Sequence, residues 1–227
     1  MAIAPIDSYP MPRAADLPAN TAAWTVDPRR AVLLVHDMQH YFLAPFAEGA
    51  EPRTRLLTGV TALRENCARA GVPVVYTAQP GGMSPEDRGL LQDFWGPGMS
   101  AAPEDRGIPD AIAPGPDDTV LTKWRASAFH RTELLATLRE QGRDQLIVCG
   151  VYAHVGILLT ACDAFAHGIQ TFVVADAVAD FTPEFHRMAL SYAATRCAMA
   201  VTTATVLGAL ASGALASAPA APAGRAS

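Results

Sequence analysis

No stretch of this chain reaches the roughly 18 uninterrupted apolar residues that a membrane-spanning helix needs. The first residues, Met1-Ala-Ile-Ala-Pro-Ile-Asp7, have no basic segment leading into an apolar one. Neither a spanning helix nor a secretory leader is expected, which predicts a soluble, cytoplasmic protein. Positive charge is also scarce, with 17 Lys and Arg against 22 Asp and Glu and a formal net charge of -5. Such a balance supplies no global field for nucleic acid or an anionic membrane, so neither is an expected partner, and an anionic ligand has to be held by local Arg and Lys. Cysteine is limited to Cys67, Cys149, Cys162 and Cys197, none in a C-x-x-C pair and all inside apolar periodic segments. They are expected to be buried, reduced thiols that behave as small hydrophobes.

Half of the 227 residues are hydrophobic, enough for one substantial core, and nothing marks a break between two. A single domain is therefore expected over residues 1–210, with residues 1–30 as a Pro- and Ala-rich arm lying over it. The Ala, Gly, Ser and Pro tail at 211–227 is expected to be disordered after a last short helix near 203–210. Ala31-Val-Leu-Leu-Val-His36 is apolar without alternation, as in a strand buried on both faces of a parallel sheet. Similar runs occupy 72–77, 119–122, 145–149 and 170–175, with a weaker one at 199–202. Helical patterns lie between them at 56–70, 132–141, 155–167 and 183–196; the first three are followed by Gly71, Gly142 and Gly168, and the last has Pro183 in its first turn. Strands and helices alternating in this way predict an α/β fold: a doubly wound, Rossmann-like, mostly parallel six-stranded sheet with helices on both faces.

In open parallel sheets ligands bind beyond the carboxyl ends of the strands, near the switch in strand order. That rule brings three distant positions together: Asp37 after the first strand, Lys123 after the third, and the turn Gly150–Gly156 after the fourth. Each alone reads as a turn residue, a cap or a surface charge. Their equivalent topological placement makes an acid and cation pair beside a helix-opening turn the predicted site.

The segments Arg30–Phe42 (Arg-Ala-Val-Leu-Leu-Val-His-Asp-Met-Gln-His-Tyr-Phe), Tyr76–Pro80, Phe94–Gly98, Thr122–Arg125 with Ser127–Phe129, Gly150–Gly156 and Asp176–Phe181 together resemble the isochorismatase family, from about Ile6 to Leu207. The resemblance implies an isochorismatase-type hydrolase fold and cofactor-free hydrolysis of a vinyl ether in a small anionic cyclohexadiene acid. Leu17–Asn20, Gly96–Met99, His186–Leu190 and Arg196–Met199 are most similar to the branch that acts on 2-amino-2-deoxyisochorismate. Ser127–Arg131 is equally similar to the siderophore branch, which acts on isochorismate. The resemblance further implies that Gln79, Arg88, Trp95, Tyr152 and Phe42 line the pocket, and that the protein forms homodimers.

Cysteine hydrolases of the same architecture carry a thiolate where this chain has Gly156. Without sulfur there, proton-driven chemistry is expected, with Asp37 as general acid and Lys123 binding a carboxylate and orienting it. Desolvation of Asp37 is expected to outweigh the pull of Lys123 and keep the carboxyl protonated. Gly156 is expected to leave open the room a thiol would fill. His36, His40 and His154 suggest a metal, but the Asp-x-His cluster of the amidase relatives is replaced by Thr77-Ala-Gln-Pro80, and no metal site is predicted. Asp176 and Asp180 are expected to cap turns or helices. Position 126 is Ala where relatives usually have Tyr. A cysteine amidohydrolase and a non-catalytic binding protein are the alternative classes.

Overall fold

Strand β1 (Ala31–His36) is buried along its whole length. Ala31, Leu33 and Val35 pack into one core cluster and Val32 and Leu34 into the other, so the strand needs apolar side chains on both faces. This is why its sequence shows no alternation. A computed structural model describes residues 3–217. After β1 come α1 (His40–Leu43), α2 (Arg53–Arg69), β2 (Val74–Ala78), α3 (Pro85–Arg88), α4 (Leu91–Trp95), α5 (Pro103–Arg106) and β3 (Thr119–Thr122). The second half runs α6 (Leu134–Glu140), β4 (Gln145–Val151), α7 (Leu158–Ala166), β5 (Gln170–Ala179), α8 (Pro183–Arg196), β6 (Met199–Val201) and α9 (Thr203–Ser217).

All six strands pair in parallel in the order β3-β2-β1-β4-β5-β6. The predicted "mostly parallel" sheet is thus parallel throughout its described strands. Helix α2 packs Leu56, Val60, Leu63 and Cys67 onto one face, together with Val206 and Leu210 of α9. Leu134 and Leu138 of α6, Ala161 and Ala164 of α7, and Leu190 and Ala193 of α8 cover the other. Each fully buried Leu or Val contributes about 1.5–3 kcal/mol over an exposed one. The N-terminal segment buries Ile6, Tyr9 and Met11 in the first cluster.

Several boundaries differ from the sequence expectation. β2 starts at Val74 because Pro73 has no N–H to give to a ladder. β5 extends to Ala179 through Asp176, with a register irregularity against β4 between Val148 and Gly150. A wide π-helical turn, Ala153–Ile157, precedes α7, so the regular helix starts at Leu158 rather than 155. The segment between β2 and β3 holds three short α-helices and a 3-10 turn at Asp110–Ile112 that no periodicity announced. Helix α9 runs to Ser217, past the expected stop at 210, and the disorder expected for the remainder of the tail falls on 218–227, outside the described residues.

The chain winds from β1 outward to β2 and β3, then returns to β4 and winds outward the other way. A crevice therefore opens where the carboxyl ends of β1 and β4 diverge, the point at which such sheets bind ligands.

Candidate active site

Asp37 is the first residue beyond β1, and its backbone has a left-handed φ of 51°. Non-glycine residues in that region are uncommon and concentrate at functional sites. The turn aims the carboxylate back over the sheet end. Lys123, the first residue beyond β3, is anchored by its N–H to the Ala78 carbonyl at 2.9 Å and spans the end of β2. Its Nζ donates to Asp37 Oδ2 at 2.8 Å, while Thr77 Oγ1 donates to Asp37 Oδ1 at 2.7 Å. Relative exposure is 5% for Asp37 and 1% for Lys123, so the pair is screened from water.

This arrangement corrects one expectation. Burial pushes the Asp37 carboxyl up and is the largest single influence, but Lys123, His36 and the Thr77 hydroxyl together outweigh it and hold the carboxyl below the usual carboxylate range. In the unliganded protein Asp37 is ionised.

The pair opens into a cleft lined by all eight residues singled out from the sequence: Asp37, Lys123, Gln79, Arg88, Trp95, Tyr152, Gly156 and Phe42. Ala126 is on its wall as well. Arg88, at the end of α3, is 5% exposed. Its Nε donates to the Gly96 carbonyl at 2.9 Å and its Nη1 reaches Gln79 Oε1 at 3.4 Å. No carboxylate pairs with it among the described residues, and burial first, with the neighbouring Arg125 charge, lowers its pKa. A buried cation held only by neutral acceptors is built to receive an anion. The aromatic wall is a connected stack: Tyr152 lies 4.2 Å from Phe181, Trp95 stacks on Phe181 at 5.9 Å, and the Tyr152 hydroxyl donates to the Phe42 carbonyl at 2.7 Å.

Three contributors were missed by sequence reasoning. Thr77 is one, holding the second oxygen of Asp37. Gln39 is another, 1% exposed: its Nε2 donates to the carbonyls of Gln79 and Arg106, each at 3.0 Å, and its Oε1 accepts from Gln79 N–H at 2.7 Å. One side chain thereby ties both ends of the segment carrying Arg88 and Trp95. A buried Gln two residues past the acid was the available signal.

His36 is the third, and it overturns the expectation of open room at Gly156. A Cβ built on Gly156 would stand inside contact distance of His36 Cε1 and 2.9 Å from Nε2, so the imidazole already fills that volume. The strand's alternation explains this: Val32, Leu34 and His36 share the face on which the turn into α7 lies. The other histidine of the turn, His154, is taken by Asp180, which accepts from its backbone N–H and pairs with its Nδ1, both at 2.7 Å. Asp180 therefore caps the turn, and Asp176 accepts from Thr203 N–H at the start of α9, as expected of both. Among the described residues no group of three or more His, Cys, Asp or Glu is arranged to hold a metal.

A family model described as "Isochorismatase domain" matches residues 31–205. The chain is 58% identical over 202 residues to the phenazine biosynthesis protein PhzD1 of Pseudomonas aeruginosa, covering 89% of this chain and 97% of that one. It is 55% identical over 207 residues to a Bacillus subtilis isochorismatase, covering 91% of this chain and 66% of that longer protein. Among solved structures, a cysteine hydrolase of Pseudomonas syringae pv. phaseolicola superposes with a TM-score of 0.76 at 24% identity, covering 86% of this chain and 98% of that one. That last likeness speaks to the fold alone.

Proposed function

The chain belongs to the isochorismatase family, and from that premise we propose that it hydrolyses the vinyl ether of 2-amino-2-deoxyisochorismate to trans-2,3-dihydro-3-hydroxyanthranilate and pyruvate. The observation that carries this reading is the dry Asp37–Lys123 pair facing an acid-free guanidinium in a cleft where position 156 has no nucleophile.

A vinyl ether resists hydroxide but becomes electrophilic once its terminal methylene is protonated. Asp37 transfers its proton to that carbon, the C=C electron pair forms the new C–H bond, and the positive charge is shared with the ether oxygen as an oxocarbenium ion. Water adds to the cationic carbon and releases a proton, which returns to Asp37. The hemiketal then collapses: its C–O bond to the ring breaks, the ring oxygen takes up a proton and leaves as the alcohol, and the former enol carbon becomes the ketone of pyruvate. One water is consumed and no covalent enzyme intermediate forms. Lys123 and Arg88 hold the substrate's carboxylates, Gln79 sets the Arg88 guanidinium, and Phe42, Trp95 and Tyr152 exclude bulk water, which strengthens each charge interaction. Thiol chemistry finds no support: Cys149, the cysteine nearest the turn along the chain, is buried and its thiol is pushed far up by that burial.

The likeness to the Bacillus subtilis protein favours a second reading, isochorismate to 2,3-dihydro-2,3-dihydroxybenzoate and pyruvate, by the same steps. Comparing kcat/KM for pyruvate release from the two substrates separates them, and a preference for isochorismate reverses the assignment. In deuterated water one deuterium enters the pyruvate methyl group; its absence refutes carbon protonation.

We also infer a homodimer and a reducing, cytoplasmic location. Phe185, Met188 and Tyr192 stand at i, i+3 and i+7 on α8 with exposures of 44%, 44% and 48%, a stripe suited to a second copy. The four described cysteines are unpaired, which suits a reducing compartment. Light scattering at micromolar concentration tests the dimer.

A further inference from the structure

Gly156 is not there for its backbone. Its φ lies outside the left-handed region in which glycine is favoured. What a side chain at 156 would meet is the His36 imidazole, at Cε1 and Nε2, and then the Ala126 carbonyl at 3.2 Å.

The imidazole is held firmly. His36 is fully buried, and its Nδ1 donates to the Val151 carbonyl at 2.8 Å, which fixes the tautomer and leaves Nε2 as a bare acceptor. That Nε2 makes no hydrogen bond of regular geometry and faces the Ala126 carbonyl. A buried acceptor without a well-formed bond costs stability, so the ring is held here by packing against the Gly156 turn as much as by its Nδ1 bond. Burial holds its pKa down to about 4, and it is therefore uncharged at neutral pH. Its Nδ1 is 3.8 Å from Asp37 Oδ1, on the residue directly preceding the left-handed acid.

We propose that His36 and Gly156 form one specificity-determining pair: the His36 imidazole takes the volume of a side chain at position 156, closing the place from which a nucleophile would act and buttressing the turn that presents Asp37. His36 is in this sense a positioning residue. It keeps the acid beside the cleft and denies the fold the thiol geometry that Asp37 and Lys123 would otherwise serve. A thiol at 156 and an imidazole at 36 are then mutually exclusive on this backbone. The proposal rests on the vinyl-ether reading for its kinetic consequence only; its packing consequence is independent of any substrate.

The test is a double-mutant cycle in the full chain with G156A, H36N and H36N/G156A. The asparagine amide can still donate to the Val151 carbonyl but lacks the Cε1–Nε2 edge. G156A alone is expected to lower the melting temperature and to reduce kcat for pyruvate release at least tenfold with KM within about twofold, a split that follows from a displaced acid rather than a lost binding contact. In the H36N background the same alanine is expected to change both melting temperature and kcat less than about half as much as it does alone, the signature of two residues competing for one space. Equal cost in the two backgrounds, or a G156A protein with the parent's melting temperature and kcat, overturns the proposal. Should G156A alone not fold, a folded H36N/G156A supports the pair and an unfolded one overturns it. If the parent releases no pyruvate, the functional reading fails while the melting cycle still decides the packing claim. Imidazole 15N shifts at pH 7 provide an independent check: a protonated Nδ1 with a bare Nε2 is expected, and a proton on Nε2 contradicts the geometry.

Discussion

Replacing Asp37 with asparagine keeps the shape of the side chain while removing both its charge and its transferable proton, so two separable losses are expected. The first is catalytic. General acid catalysis contributes about 10²–10⁴-fold, and in the proposed mechanism Asp37 is the proton donor, so kcat is expected to fall by that factor. The second is structural. Lys123, 1% exposed, has Asp37 as its ion-pair partner at 2.8 Å, and removing one member of a buried pair costs about 3–5 kcal/mol because the other charge is left desolvated. The asparagine Oδ1 still accepts from Lys123, which puts the cost toward about 3 kcal/mol. At about 2–4 °C per kcal/mol for a domain of this size, the melting temperature should drop by roughly 6–12 °C. Adding Lys123→Met removes the stranded cation, and most of that loss should return while activity does not. The assays are thermal melts and pyruvate release coupled to lactate dehydrogenase. An Asp37→Asn protein that keeps more than about a tenth of the parent's kcat would refute the assignment of the proton donor.

Arg88→Met preserves the apolar stem but removes the buried guanidinium; losing a hydrogen bond to a charged group costs about 1.5–3 kcal/mol, so kcat/KM should fall about 10–150-fold, mainly through KM. An unchanged KM would show that the guanidinium does not hold the substrate. Stability should fall on acidification below neutrality. His36 and His186 both have pKa values lowered by burial to about 4, against 6.5 for the free side chain. Between those limits the unfolded chain binds protons that the folded one refuses, so stability decreases as pH falls, by about 3 kcal/mol per histidine near pH 4. Asp37 adds in the same direction at lower pH, since its depressed carboxyl stabilises the fold above its unfolded pKa and that contribution is lost as pH falls through the folded one. Guanidinium unfolding at pH 7 and pH 5 measures the histidine effect, and equal stabilities at the two would contradict it.

The sheet was legible because both of its faces are covered: Ala31–Val35, Leu146–Cys149 and Phe172–Ala175 are apolar in every position, and the strand-end rule then carried Asp37 and Lys123 to one place. Helix α2 was legible from Leu56, Val60, Leu63 and Cys67. The segment from Pro80 to Arg106 was not, because its short helices are too brief to show a period and are held by Gln39 and by caps such as Ser84, whose Oγ accepts from Asp87 N–H at 3.1 Å. His36 was weighed in the sequence only as a metal ligand, and only the third dimension shows that its parity along β1 points it at Gly156. Thr77 reads as one more β-branched strand residue until its hydroxyl is seen against the acid.

The protonation of Asp37 separates what burial does from what partners do. Desolvation alone would keep the carboxyl neutral, as the sequence led one to expect, yet an ammonium at 2.8 Å and a hydroxyl at 2.7 Å stabilise the anion enough to reverse the sign. An ionised carboxylate cannot protonate carbon, so the proton has to arrive with the substrate. In the proposed mechanism the substrate supplies the driving force: carboxylates bound at Lys123 would compete for it, place negative charge beside Asp37 and expel the remaining water, and each of these raises the carboxyl pKa. The saturated analogue, in which the enolpyruvyl group is reduced to lactyl, brings the same charges but cannot accept a proton on carbon. Its binding at pH 7 in weak buffer with an indicator dye should take up about one proton per site, and the uptake should vanish in the Asp37→Asn protein. Tight binding with no proton uptake would mean that the pair already holds the proton it needs and that Lys123, across the 2.8 Å hydrogen bond, hands it to Asp37 during the reaction.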